Sequence, residues 1–399
     1  MGASLPHITL PRATVLLFAC AAGLSVANVY YAQPLLDALA REFAIPDAAV
    51  GSIVTATQAG CALALLLVVP LGDLIERRRL MLAQALMLAA ALVAVGTART
   101  SAILLAAMLL TGLFGTAMTQ GLISYAASAA ADEDRGRVVG TAQGGVFIGL
   151  LLVRVLAGGI SDLAGWRSVY LCSAALTLVL AALLWRGLPA LGAARSTMRY
   201  RRLIASMFTL LRRDRTLQVR GMLALLMFAV LNIFWSALVL PLSAPPYGLS
   251  HTAIGAFGLA GAAGALAAIW AGRLADRGHE RPVSAAALLV LAAAWLPLAW
   301  MDSSLWALIA GIVLLDLGGQ AIHVTNQSLI FRASPEAHSR LVGAYMLFYA
   351  VGSGIGALAS TASYAGAGWR GVCLLGAGLS LAALAFWVLT RKFTAGGDT

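Results

Sequence analysis

Twelve apolar runs, each close to the length an α-helix needs to cross a bilayer, leave this chain of 399 residues few ways to fold. A hydrocarbon core about 30 Å thick takes about 20 helical residues. The runs fall at 13–38, 49–71, 80–98, 102–128, 136–161 and 167–187, then at 217–242, 252–274, 283–301, 305–330, 339–362 and 370–390. In lipid a segment must satisfy its own backbone N–H and C=O groups, so each run is expected as a helix. Hydrophobic residues make up 61% of the chain and charged ones only 11%, against about a quarter charged in soluble domains. A soluble enzyme, a disordered chain and a disulfide scaffold are thereby excluded. The expected class is an all-α integral membrane fold. The first run is followed by no cleavage site and is expected to stay as a helix.

Cys20, Cys61, Cys172 and Cys373 each lie in an apolar run, and none has CxxC spacing. No disulfide or metal site is expected. The sequence holds no P-loop, GxSxG or HExxH pattern. ATP hydrolysis, enzymatic chemistry and a bound cofactor are therefore not expected.

The net charge of +11 would suggest nucleic acid in a soluble protein. Its distribution says otherwise. Of the 27 Lys and Arg, 22 lie in one alternating set of loops, four in the other set (Arg41, Arg99, Arg167, Arg370), and Arg154 lies inside a run. Cationic loops stay in the cytoplasm. Both termini are therefore expected there, in an inner-membrane protein with a lipid bilayer and no nucleic acid as partner.

The charged landmarks repeat at a spacing of 203 residues. Asp73 maps to Asp276, Arg78 to Arg281, Arg137 to Arg340, Gly140 to Gly343, and Gly165-Trp166-Arg167 to Gly368-Trp369-Arg370. Six runs fill each period, so the halves share one membrane orientation, as in a parallel repeat about the membrane normal. The expected organisation is a six-helix bundle over 1–189, a join over 190–216 and a second bundle over 217–399, with a cleft between the bundles. The join places Tyr200, Leu203, Ile204, Met207, Phe208 and Leu211 at helical spacing among arginines, as in an amphipathic helix on the inner membrane surface.

A charge at the bilayer centre costs about 2.5–3.5 kcal/mol, so ionisable groups inside the runs need partners or a task. In the tenth run Asp316, Gln320, His323 and Gln327 form one stripe at i, i+4, i+7 and i+11. The stripe reads as a cavity wall on which Asp316 or His323 exchanges protons, or as hydrogen bonding that ties helices together. Arg154 shares a stripe of the fifth run with Gln143, Phe147 and Leu150. It reads as an anchor for an anionic solute or as the partner of Asp37. Further cavity candidates are Asn28, Tyr31 and Gln33 in the first run, where Pro34 can kink the helix, and Gln58 and Gln120 in the second and fourth. The second half adds Asn232 and Trp235 in the seventh run, Asn326 in the tenth, and Tyr345 and Tyr349 in the eleventh. Amide and aromatic groups together suit an amphipathic organic solute. Gly255, Gly258, Gly261 and Gly264 of the eighth run read as close packing.

The stretch Val69 to Arg78, with Asp73, Arg77 and Arg78, resembles the loop signature G-x-x-x-D-R-x-G-R-R of the major facilitator superfamily, with Val69, Leu74 and Glu76 as departures. The second copy, Gly272 to Gly278 with Asp276 and Arg277, is closer to the pattern. The resemblance covers the whole chain. It implies two six-helix bundles, secondary transport by alternating access, and a cytoplasmic latch formed by these residues with Arg137 and Arg340. The stretches 27–36, 55–58 and 315–327 resemble the first, second and tenth helices of the bacterial arabinose/drug efflux permease group. That group implies proton-driven export of a small compound. The fifth-helix antiporter motif aligns on Gly140 and Gly149, but its Gly-Pro pair is Val153-Arg154 here and its last glycine falls one place late at Gly158. The leading expectation is therefore proton-coupled efflux by a monomer, with uptake symport or facilitation as the alternative. A transport-inactive sensor or scaffold is the reading from a different class.

Overall fold

In the computed structural model, residues 11–131, 133–188, 200–262, 264, 270–274, 277–333 and 338–391 are described. Ten stretches among them are long and apolar enough to cross a membrane. The last, Leu341–Thr390, is two helices. A break at Gly368 (φ 60°, ψ −157°) separates the eleventh span from the twelfth. The eighth span begins at His251–Ala260, and part of its remainder lies outside the described residues. The protein is a multi-pass membrane protein with an all-helical fold among the described residues.

The repeat is visible in the backbone. Helices start at Arg12 and Arg215, at Arg77 and Glu280, and at Arg135 and His338, each pair 203 residues apart. Gly165 ends the fifth span with φ at 81°, and Gly368, also 203 residues on, has φ at 60°. Both turns need the left-handed backbone that glycine adopts without strain. Close helix packing repeats as well. A Cβ on Gly149 would lie 2.3 Å from the Gly23 carbonyl oxygen, and one on its counterpart Gly352 would lie 2.2 Å from that of Leu225. The fifth span thus lies against the first as the eleventh lies against the seventh.

Neither the first nor the seventh span is one straight helix. The first runs Arg12–Tyr30, tightens into a 3₁₀ turn at Gln33–Leu35 and resumes at Leu36–Phe43. Pro34 supplies no N–H to an α-helical ladder, which accounts for the interruption. The seventh runs Arg215–Ala237 and continues as Val239–Ser243. The amphipathic helix of the join is present at Tyr200–Arg213, with Leu203 and Met207 buried.

The halves meet at the end of the molecule that carries few arginines. There Thr55 Oγ1 donates to the Gly354 carbonyl at 2.7 Å, and the Gly51 N–H donates to Thr361 Oγ1 at 3.1 Å, joining the second and eleventh spans. The fifth and eighth spans touch backbone to backbone where a Cβ on Gly158 would lie 2.2 Å from the His251 carbonyl oxygen. Below these contacts, towards the arginine-rich end, the halves separate around a cavity.

Candidate functional site

The cavity has a volume of about 480 Å³, within the usual range for sites that take small organic molecules. Its polar floor lies where Pro34 breaks the first span and frees Gln33 to point inward. Gln33 Nε2 donates to Asn232 Oδ1 at 3.2 Å, bridging the first and seventh spans. Gln33 Oε1 accepts from Arg154 Nη2 at 2.8 Å. The Arg154 guanidinium lies 3.9 Å from the centre of the Trp235 ring, a cation–π arrangement. Asp316 lines the same cavity, and both side chains lie against the eighth span, Arg154 at Gly258 and Asp316 at Gly261. Arg154 belongs to the first half of the chain and Asp316 to the second, so the two charges reach the cavity from opposite halves.

Further towards the arginine-rich end the tenth span presents Gln320, His323 and Gln327 to the same space. His323 Nδ1 lies 3.0 Å from the Tyr345 hydroxyl, and its ring stands edge-on to Phe228 with centroids 5.3 Å apart. Phe228 in turn packs edge-on against Tyr349 at 4.4 Å, and the Tyr349 hydroxyl contacts that of Tyr30. Phe147, Leu150, Leu151 and Leu231 add apolar walls, and Gln120 and Gln143 two more amides. The site thus offers one guanidinium, one carboxylate, one imidazole, several amides and a set of aromatic faces.

Of the residues singled out in the sequence, Gln33, Gln120, Gln143, Arg154, Asn232, Trp235, Asp316, Gln320, His323, Gln327 and Tyr349 line this cavity. Five others lie behind its walls. Asn28 donates to the Leu24 carbonyl at 3.0 Å and accepts from Ser173 at 2.7 Å, and Tyr31 meets the same serine at 3.3 Å. Both face the sixth span within their own half. Gln58 is buried in the second span. Asn326 turns to Arg220, and Tyr345 reaches the site only through His323.

The Arg154–Asp37 pairing considered from the sequence is corrected by the structure. Asp37 lies beyond the 3₁₀ turn, nearer the arginine-poor end. It takes Arg41 at 3.0 Å and His251 at 2.9 Å. Arg154 sits level with Gln33, on the cavity side of that turn, and faces Asp316 instead.

Of the signature residues, Arg77 donates to the carbonyls of Gly72 and Ser124, each at 3.1 Å, and contacts Ser128. Arg78 contacts the Trp185 carbonyl and lies 4.8 Å from that indole. Both tie the third span to neighbours in the first half. Arg137 pairs locally with Asp134 at 3.1 Å, and Arg277 is exposed in the turn before the ninth span. The side chains of Asp73, Asp276 and Arg340 lie outside the described residues.

Two groups escaped the sequence reading. Arg220 is buried in the seventh span against Ser284 and Asn326. Its position inside the apolar run 217–242 is the signal the sequence offers. The second group is His251 with Asp37 and Asp162. Those three residues come from the eighth, first and fifth spans, and no spacing in the sequence connects them.

Against known proteins, the model of the Major Facilitator Superfamily matches residues 18–277 and 221–398. The chain is 41% identical over 382 residues to YgaY of Escherichia coli O157:H7, described as an uncharacterized transporter, with 96% of each protein covered. It is 33% identical over 360 residues to SCO4007 of Streptomyces coelicolor, described as a probable transporter, covering 90% of this chain and 83% of that one. Among solved structures, a bacterial homolog of the human lysosomal transporter Spinster, inward-facing and occupied, superposes with a TM-score of 0.75 at 15% identity over 98% of both chains. That likeness is one of fold.

Proposed function

The chain belongs to the major facilitator superfamily and is a membrane transporter of that kind; from this we propose that it moves a small organic compound across the inner membrane by alternating access, with Asp316 carrying a coupling proton. The single observation behind this reading is the cavity of about 480 Å³ between the halves, where Asp316 and Arg154 face each other from opposite bundles. A carboxylate set in a largely apolar wall can exist with or without its proton at modest cost, and each state changes how strongly the two halves attract. His323, already engaged by Tyr345, is the second titratable group on the same stripe.

The loops rich in arginine are assigned to the cytoplasm with both termini. The contacts that close the arginine-poor end then seal the outer side, and the cavity belongs to an inward-facing state. Bundles 1–189 and 217–399 move as bodies about the site, joined through 190–216. One chain supplies the whole cavity, so a monomer suffices.

Export by antiport, the direction implied by the resemblance to the arabinose/drug efflux group, needs a solute that competes with the proton at Asp316. Co-transport needs one that binds together with the proton. Proteoliposomes loaded with a pH-sensitive dye, challenged with phenyl and octyl carboxylates, amides and amines, test the reading. Solute-dependent proton movement is expected in the wild type and is expected to vanish in Asp316→Asn. Proton movement that persists unchanged in both Asp316→Asn and His323→Ala would remove the proposed carriers.

A further inference from the structure

The wall around Arg154 is built to leave its charge available. A guanidinium carries five N–H donors. Among the described residues only Nη2 is engaged, by Gln33, and Nε is buried without a hydrogen-bond partner. Leaving donors of a buried cation unmet is costly unless something else meets them. The glycines of the eighth span, which the sequence alone suggested were for packing, form the trough in which both charges lie. Gly255 and Gly258 back onto Arg154, and a Cβ at Gly258 would stand 3.2 Å from Arg154 Cδ. One at Gly261 would stand 2.2 Å from Asp316 Oδ2. Any larger residue there would push one of the two side chains out of place. The Trp235 ring flanks the guanidinium, and Phe147 and Phe228 line the same cavity.

We propose that this cavity takes a small organic anion, its carboxylate-type head on Arg154 and its apolar body against Phe147, Phe228 and Trp235, and that the anion loads together with a proton on Asp316. The second half of this statement rests on the assignment of Asp316 as proton carrier made above. The charge balance favours it over a cationic solute. The empty site holds Arg154 as a cation and Asp316 as an anion, a sum of zero. With the anion bound and Asp316 protonated the sum is again zero. A cationic solute would leave a net positive charge in the membrane, either when bound beside the ionised Asp316 or when the emptied site keeps its proton. Uncompensated charge there is unfavourable. Two carboxylates facing one guanidinium also repel, so the anion raises the proton affinity of Asp316, and by reciprocity the proton raises that of the anion. Binding of this sign makes the transporter a symporter of anion and proton.

The other titratable groups do not alter this sum. His323 lies two turns away on the tenth span and is held by Tyr345. Tyr30 and Tyr349 contact each other. Arg220 lies farther along, at Asn326. His251, at the start of the eighth span, is engaged by Asp37 and Asp162.

The test uses the purified full-length protein and two matched probe sets: benzoate, benzamide and benzylamine, then octanoate, octanamide and octylamine. Binding is measured by calorimetry in two buffers of different ionisation enthalpy, which counts protons. Benzoate or octanoate is expected to bind at least about tenfold more tightly than its amide or amine, the size of a charge-assisted hydrogen bond, and to take up a proton. Arg154→Gln is expected to lose that preference, and Arg154→Lys to keep part of it. Gln33→Glu, which sets a carboxylate on Arg154 and gives up the donor to Asn232, is expected to abolish anion binding by occupying Arg154. Tighter binding of the amines, proton release on anion binding, unchanged anion affinity in Arg154→Gln and Gln33→Glu, or no binding of either carboxylate would each overturn the proposal. Proton uptake that survives Asp316→Asn would instead overturn the carrier assignment, a failure separate from that of the anion at Arg154.

Discussion

His251 Nε2 lies 2.9 Å from Asp37 Oδ1, while Nδ1 of the same ring lies 3.0 Å from Asp162 Oδ1. A neutral imidazole has only one N–H, so both contacts are favourable only for the imidazolium. The Asp162 carboxylate also accepts from the backbone N–H groups of His251 and Thr252, at 3.1 and 2.8 Å, and from the Thr252 hydroxyl at 2.6 Å. Asp37 is further paired with Arg41. The first and fifth spans of one half are thereby fastened to the eighth span of the other, at the end where the halves touch.

This fastening is pH-dependent. The hydrogen bond from the ring to Asp37 holds the His251 pKa above the ordinary histidine range; burial opposes it, and the charges of Asp37 and Asp162 add to the rise. A cation whose pKa is raised in the closed form stabilises that form below its open-form pKa, and the stabilisation disappears as pH climbs through the raised value. Spin labels placed at the arginine-poor ends of the fifth and eighth spans, in a background without native cysteines, are therefore expected to show more separation at alkaline pH. His251→Gln is expected to shift the population about tenfold towards the separated form at low pH, in keeping with loss of one charge-assisted hydrogen bond, and to flatten the pH response.

Gly165 and Gly368 test the repeat energetically. Each has a positive φ, and a Cβ at either would have nothing within 4 Å. The cost of Gly165→Ala and Gly368→Ala is thus backbone strain alone, about 1–3 kcal/mol for each. Thermal unfolding in detergent should show similar drops in Tm for the two and an additive drop for the double variant, since they lie in different halves.

Close packing of helices gives a contrasting pair. A Cβ on Gly112 would lie 1.9 Å from the Thr57 carbonyl oxygen, whereas one on Gly140 would have nothing within 4 Å. Gly112→Ala must separate the second and fourth spans and is expected to cost about 1–3 kcal/mol or more. Gly140→Ala, on an open helix face, is expected to be neutral or mildly stabilising through helix propensity. Tm values measured side by side check both.

The membrane fold and the repeat were legible in the sequence because both leave long-period signals. Apolar runs set the helices, and the spacing of 203 residues recurs in the helix starts and in the two positive-φ glycines. The tenth-span stripe was legible for the same reason, since a helix converts i, i+4, i+7 and i+11 into one face. What stayed hidden was which helix each polar group meets. Asn28 and Gln33 are five residues apart, yet Pro34 and the 3₁₀ turn leave one bonded to Ser173 and the other to Arg154. The partner of Arg154 could not be deduced from depth along a helix, because the turn at Gln33–Leu35 places Asp37 with His251.

Arg220 is a further charge held inside the protein, at 2% exposure. Its Nη1 lies 3.3 Å from Ser284 Oγ and 3.5 Å from Asn326 Oδ1, and Asn326 returns a hydrogen bond to the Arg220 carbonyl at 3.4 Å. The charge of Glu280, at the start of the ninth span, also acts on it. The seventh, ninth and tenth spans are thus joined through one side chain at the arginine-rich end. Replacing one partner of such a network leaves the others buried and unmet, which costs about 3–5 kcal/mol for a charged group. Arg220→Ala is therefore expected to lower Tm sharply. Arg220→Met combined with Glu280→Gln removes both charges while keeping volume, and is expected to recover much of the loss. If the double variant is no more stable than Arg220→Ala, the contribution of Arg220 is hydrogen bonding to Ser284 and Asn326, with little from charge.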